Sequence, residues 1–328
     1  MKIFDLHCDT MRELYLAQRR GEFFHLKNAP FQINEELLQR GEYFAQCFAA
    51  FVPVTENDAY SLCKSILSLA KSEILESESL SLVEKFADFA QNSKQGKISA
   101  LLTMEDAAPI ATSIDRLQEF YSLGVRMLGL TWNYPNAVGY PNFKNFKAGE
   151  MPDMYTPQTQ FGLTEFGREL VFTVNKMGIA LDASHLSDKG FYDLLEVSEK
   201  PIFASHSNAR KLCGNVRNLS DDMLKKLANN GGVTGVNYCA AFLEDEEEKG
   251  KQTIACVVEH MLHIRNVAGL ETIALGSDFD GIPREIELCD ASKLPLLIAE
   301  MERAGFTCDE IDKITKENAL RVFKDTIK

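Results

Sequence analysis

The sequence predicts a (β/α)8 barrel, an α/β fold of the TIM type, and three observations carry that expectation. Eight short apolar runs recur along the 328 residues. Longer amphipathic stretches lie between them. No GxGxxG or GxxxxGK motif follows the first run, so the usual nucleotide-binding reason for the competing architecture, a doubly wound open sheet, is missing.

The runs are KIFDLH (2–7), YFAQCFAAF (43–51), ISALLTM (98–104), VRMLGLT (125–131), GIALDAS (178–184), PIFASHS (201–207), GVTGVNY (232–238) and TIALGSD (272–278). Most are almost continuously hydrophobic. Parallel strands covered on both faces read this way. Eight strands alternating with helices over this length fit one barrel domain across residues 1–328.

Several helices announce their own ends. Thr164 caps TEFGRELVFTVNKMG; Leu170, Val171, Val174 and Met177 fall at helical spacing, and Gly178 stops it. A second run carries Asp222, Leu224 and Leu227 to the stop at Gly231 and Gly232. Residues 254–266 present an apolar face ahead of the eighth strand. Two more helices follow, at 291–303 and 308–324. The last begins with Thr307 and Glu310 in capping-box spacing and places Ile311, Ile314, Asn318 and Val322 along one side.

One connection breaks the rhythm. Residues 132–162, after the fourth run, are rich in Asn, Pro, Gly and aromatics and have no apolar period. A loop this long is either a lid or binding loop or a surface insertion. Trp132, Tyr134, Tyr140 and Tyr155 could line a pocket.

Composition excludes some function classes. The net charge of −13, from 35 basic and 48 acidic residues, argues against a nucleic-acid partner. No stretch approaches the roughly 20 apolar residues of a membrane span. The segment after Met1 is short and charged at Asp5, and the ending LRVFKDTIK carries no anchor tail, so a cytoplasmic protein is expected. Eight scattered cysteines without a CxxC pair read as reduced, mostly buried thiols.

Catalytic groups of a barrel come from the C-terminal ends of its strands. His7, His185 and His206 sit at or just past run ends, Glu105 and Asp106 follow the third run, and Asp278 and Asp280 close the eighth. Five separate strand ends thus bring imidazoles and carboxylates to one rim. Residues two apart on an extended strand point the same way, so His7 and Asp9 can reach one ion while Cys8 packs elsewhere. His and carboxylate donors suit Zn²⁺ or a similar divalent ion, and two such groups sharing one acid suggest a two-metal centre. His25 lies in a polar stretch. His260 and His263, with no carboxylate placed to join them, are expected at the surface or half-buried.

These residues fall within longer matching stretches: DLHCDT (5–10), LLTMED, LTWNYPN (130–136), GLTEFGREL (162–170), LDASHLSD (181–188), FASHSNAR (203–210), VRNLSDDML (216–224) and GSDFDG (276–281). In this order the chain resembles the membrane dipeptidase (renal dipeptidase) family of zinc peptidases, which share the amidohydrolase-type barrel. The resemblance implies a zinc-dependent dipeptidase with two Zn²⁺ ions and a hydroxide bridging them as nucleophile. It implies His7 and Asp9 as ligands of the first ion, Glu105 as the bridging carboxylate, and His185 and His206 as ligands of the second. Asp278 is implied as the acid-base residue and Arg217 as the group that holds the substrate's terminal carboxylate. The expected substrate is a small dipeptide, including ones with a D-residue at the C-terminal position, and the family's habit implies a homodimer.

One departure stands out. The mammalian members carry LTH where this chain has Trp132 in LTWN. Tryptophan offers one N–H donor and no base, and Asn133 beside it offers an amide donor. Both are expected to face substrate. The rival readings are another amidohydrolase, cleaving N-acyl amino acids or cyclic amides, and a metal-binding protein without turnover.

Overall fold

The eight apolar runs all become strands. The computed structural model describes residues 1–144, 152–245 and 253–328. Its strands are β1 (Ile3–Asp5), β2 (Tyr43–Phe51), β3 (Leu80–Leu82), β4 (Ile98–Glu105), β5 (Val125–Gly129), β6 (Ala180–Asp182), β7 (Phe203–Ala204), β8 (Val233–Val236) and β9 (Ile273–Leu275). All pair in parallel. Eight of them close the ring β1-β2-β4-β5-β6-β7-β8-β9, in which β2 meets β4 from Ala45↔Ser99 to Phe51↔Glu105. This is the expected (β/α)8 TIM barrel.

The ninth strand, β3, has no counterpart in the sequence reading. It spans three residues and lies along the edge of β4 from Leu80↔Ile98 to Leu82↔Ala100, below the point where β5 takes over that edge at Leu102↔Val125. A piece this short shows no period of its own, and it stays outside the ring.

Two apolar layers hold the barrel. Inside, each ring strand contributes apolar side chains from alanine to phenylalanine in size, among them Phe4, Cys47, Leu101, Met127, Ala180, Phe203, Val233 and Ala274. Phe323 of the C-terminal helix closes the lower end, with its ring 5.4 Å from Phe4 and 4.5 Å from Phe203. Outside, the opposite faces of the strands pack against the helices. The alternation explains why the runs are apolar throughout: both faces are buried.

The helices keep their expected signals with two adjustments. Thr164 accepts from Gly167 N, and Gly178 ends the helix Glu165–Met177 in the left-handed conformation at φ 76°. Thr307 and Glu310 form the capping box. The helix expected over 308–324 runs to Thr326 and widens into a π turn at Lys313–Glu317. Just beyond that turn, Asn318 donates to Leu270 O and Ile273 O at the foot of β9. Among the described residues, no helix is long and apolar enough to cross a membrane.

The long connection 132–162 forms no helix or strand among its described residues; positions 145–151 lie outside them. Isolated bridges tie it down, Gly139↔Leu163, Pro141↔Leu186 and Phe143↔Pro157. Asn142 N donates to His185 O, so the loop is fastened to the upper rim of the barrel.

Candidate metal centre

The polar ends of the runs converge. His7 Nε2 lies 3.6 Å from Asp9 Oδ2, 3.5 Å from Glu105 Oε2 and 3.9 Å from Asp278 Oδ1. Glu105 Oε1 lies 2.9 Å from His185 Nε2 and 3.6 Å from His206 Nε2. Glu105 therefore presents one oxygen to each of two groups, as a bridging carboxylate must. All six side chains are buried.

Local structure explains how each is held. Asp9 occupies the N-cap of the helix Thr10–Arg19, yet its side chain makes no capping bond. An aspartate there would normally spend an oxygen on the helix N–H groups. His7 and Asp9 reach the same place, and Cys8 turns away to Cys47 O. His185, Asp278 and Asp280 have φ of 69°, 63° and 66°, a left-handed backbone uncommon for residues with a Cβ. Such conformations persist where surrounding structure fixes them, commonly at functional sites.

The hydrogen bonds assign the protons. Asn133 Oδ1 lies 2.8 Å from His185 Nδ1 and can only accept, so that nitrogen carries the proton and Nε2 holds a lone pair. Ser205 Oγ gives its proton to Asp182 Oδ2 at 2.5 Å and accepts from His206 Nδ1 at 2.7 Å, which leaves Nε2 of His206 a lone pair as well. These two Nε2 atoms stand 3.1 Å apart and face Glu105 Oε1. A proton on Glu105 can satisfy one of those contacts; a cation satisfies all three. On the other side of Glu105, His7 Nε2 and Asp9 Oδ1 are buried with no hydrogen-bond partner. The donor set fits divalent metal ions at both places.

Charge in the site follows from burial. Desolvation pushes Glu105 up to about 7, with Asp9 adding to it, and Asp278 up to about 6. Burial and then the Arg217 and His7 charges push His185 and His206 well down, so both rings are neutral, as ligands must be. Burial opposes a proton on His7, but Glu105 and Asp9 outweigh it and raise that group. A bound cation would replace that proton.

A cavity of about 330 Å³ opens over the candidate metal ligands. Asp278 lines it, and Asn237 Nδ2 donates to Asp278 Oδ2 at 2.8 Å, leaving Oδ1 toward His7. Arg217 lines it too. It is buried, with long contacts to Ser207 Oγ (3.5 Å) and His206 O (3.4 Å) and no partner for Nε. Trp132 and Asn133 form part of the wall, and Phe143 brings in the long loop. Asn133 stands in that wall with its oxygen engaged by His185.

The structure also names residues the sequence reading passed over. Asp182 and Ser205 orient His206, Asn237 orients Asp278, and Gly281 packs on two carboxylates. One signal was available: serine directly precedes the rim residue in SH at 184–185 and 205–206 and in SD at 277–278. His260 corrects an expectation. It is neither exposed nor half-buried but fully enclosed, accepting from Ala209 N and donating to Leu243 O. The helix carrying it lies against the segments that leave β7 and β8, so the side chain meets the backbone N–H of Ala209 and the carbonyl of Leu243. His25 and His263 pair with Glu73 and Asp221 and, among the described residues, join no candidate metal cluster.

Fold and rim together define a class: a TIM-barrel protein with a candidate metal centre at the C-terminal mouth. The chain belongs to the membrane dipeptidase family (Peptidase family M19), whose model matches residues 1–328. Members of that family are metallo-dipeptidases, hydrolases of peptide bonds. The chain is 38% identical over 249 residues to an uncharacterized dipeptidase of Schizosaccharomyces pombe, covering 74% of this chain and 58% of that one. It is 33% identical over 339 residues to dipeptidase 3 of Mus musculus, covering 98% and 64%. It thus spans 58% and 64% of the lengths of these curated relatives. Among solved structures it is similar to dipeptidase AC, a family M19 metallopeptidase, at 28% identity and TM-score 0.90 over 99% and 98% of the two chains. It is similar also to a metallopeptidase from Rhodobacter sphaeroides liganded with a phosphinate mimic of L-Ala-D-Ala, at 26% identity and TM-score 0.89 over 99% of both.

Proposed function

We propose that this chain is a zinc dipeptidase holding two ions, with His7 and Asp9 on one, His185 and His206 on the other and Glu105 between them. The observation that carries it is the pair of unsatisfied ligand groups either side of Glu105, in the same cavity as a buried arginine with an unpartnered Nε. When bound, the ions supply Lewis acidity and a water acidified toward neutral pH.

The chain's own residues do the rest. Arg217 pairs with the substrate's C-terminal carboxylate; its planar fork suits a carboxylate, and the enclosed cavity admits a dipeptide where a long chain would not fit. Asp278 Oδ1 accepts the proton of the attacking water and returns it to the leaving amine, while Asn237 keeps the other oxygen fixed. The Asn133 oxygen holds His185 in its ligand tautomer, and its Nδ2 remains a donor for the developing oxyanion. Trp132 contributes wall and an indole N–H. A D-residue at the C-terminal position is proposed as accepted, in line with the L-Ala-D-Ala mimic bound by the Rhodobacter neighbour.

The test joins metal analysis to a substrate panel. Purified protein should carry two zinc ions per chain and hydrolyse dipeptides, with activity removed by a chelator and restored by Zn²⁺. Asp278→Asn should keep both ions and lose turnover by about 10²- to 10⁴-fold. Cleavage of N-acyl amino acids with dipeptides untouched would overturn the reading, as would full activity in Asp278→Asn.

A further inference from the structure

The cavity has a second arginine, at the end away from Arg217. Arg12 lies in the first turn of the helix that follows β1, and its guanidinium sits over the Phe51 ring, 4.9 Å from the centroid. Phe51 is the last residue of β2 and packs on Trp132, with ring centroids 4.7 Å apart. In the ring of eight, β2 stands four strands from β7 whichever way it is counted. Arg217 lies in the segment that leaves β7. The Arg12–Phe51–Trp132 wall and Arg217 therefore face each other across the mouth, with the metal ligands between them.

We propose that Arg12 makes this chain select dipeptides whose N-terminal residue is glutamate or aspartate. The inference rests on the dipeptidase reading above. With the substrate's C-terminal carboxylate on Arg217 and its scissile carbonyl at the metal ligands, the N-terminal side chain falls at the Arg12 wall. Stacking on Phe51 holds the guanidinium fork in place before substrate arrives, which lowers the ordering cost of a carboxylate contact. Arg12 and Glu13 are 29% and 30% exposed at the side chain, so both are partly desolvated and still within reach of a ligand.

Glu13 completes the match. Its Oε1 accepts from Arg12 Nη1 at 3.2 Å, one of the five guanidinium N–H groups. Both residues line the cavity. An N-terminal acidic residue carries an ammonium and a carboxylate a few bonds apart, and the Arg12–Glu13 pair offers the opposite charge to each. Of the remaining carboxylates of the cavity, Asp9 and Glu105 face the ions they would hold, Asp278 is bonded to Asn237, and Asp280 is engaged by Thr10 and the N–H groups of Gln32 and Ile33, so Arg12 is the cation at this end.

The experiment compares kcat/KM for Glu-Ala and Gln-Ala, which differ in charge and hardly in shape, with Lys-Ala as the third substrate. Each ratio is internal to one zinc-loaded protein, so any loss of folded fraction cancels. Wild type should favour Glu-Ala over Gln-Ala by about fivefold. Arg12→Gln should bring that ratio to about one, Arg12→Glu should lift Lys-Ala above Glu-Ala, and Glu13→Gln should raise the Glu-Ala preference. Hydrolysis of Gln-Ala with no preference for Glu-Ala, or a preference that Arg12→Gln leaves intact, overturns this inference alone. Failure to hydrolyse any of the three overturns the dipeptidase reading and this inference with it.

Discussion

Gly281 is the residue on which two carboxylates rest. A Cβ at this position would lie 2.2 Å from Asp9 Oδ2 and 2.8 Å from Asp278 Oδ1, well inside contact distance. Asp278 is held by Asn237, whereas Asp9 makes no capping bond and has no hydrogen-bond partner for Oδ1, so Asp9 is the side that must move. Gly281→Ala should therefore push Asp9 off its position and weaken metal retention by about 10- to 100-fold, as loss of a supporting contact at a metal site does. Metal content after dialysis against graded chelator checks this; unchanged retention would mean that Asp9 is no ligand. His7, Asp9, Glu105, His185 and His206 were legible in the sequence because a charged or imidazole group at the end of an apolar run has no packing reason to be there. Gly281 and Asn237 were not, since what they touch is set by side chains brought near only by ring closure.

At the scale of elements, the ring strands were legible and several of their partners were not. A strand buried on both faces writes itself as a near-continuous apolar run, and most of the eight did. The helices Ala59–Glu76, Ala87–Lys94 and Ile114–Leu123 left weaker traces, because their outward faces mix polar residues with small ones. The helix Ile254–Ala268 was read correctly as a helix but its His260 was misplaced. That ring ties the helix to the segments after β7 and β8 through Ala209 and Leu243. Burial pushes it down to about 4. Below pH 6.5 the unfolded chain protonates this histidine and the folded chain does not, so the group's share of stability is complete above about 6.5 and falls away as pH drops toward 4. The loss should reach roughly 3 kcal/mol. Urea unfolding of metal-free wild type and His260→Gln between pH 4 and 7 measures it: wild type should lose more stability than the variant across that interval. Parallel pH curves would show that His260 titrates normally.

At the scale of the whole molecule, the proposed metal ligands come from the ends of β1, β4, β6 and β7, which lie on both sides of the ring. His185 and His206 leave the paired strands β6 and β7, but the full set gathers only when the β2–β4 contact has closed the barrel, and the unfolded chain scatters it over some 200 residues of sequence. Metal binding is thus coupled to ring closure, and ions that bind the folded state alone stabilise it by mass action, by about 4 kcal/mol at a thousandfold excess over Kd. The metal-free barrel gains nothing in exchange: it keeps His7 Nε2 and Asp9 Oδ1 buried and unpartnered and holds two imidazole lone pairs against a carboxylate. The melting temperature of zinc-loaded protein should exceed that of chelated protein by roughly 6 °C for a chain of this size, and it should keep rising with free zinc. Differential scanning calorimetry across a zinc titration checks both features. Glu105→Gln, which takes away the charge shared by the two groups, should shrink the gain; a variant that retained the full zinc-dependent rise would remove Glu105 from the centre and with it the geometry on which the site is built.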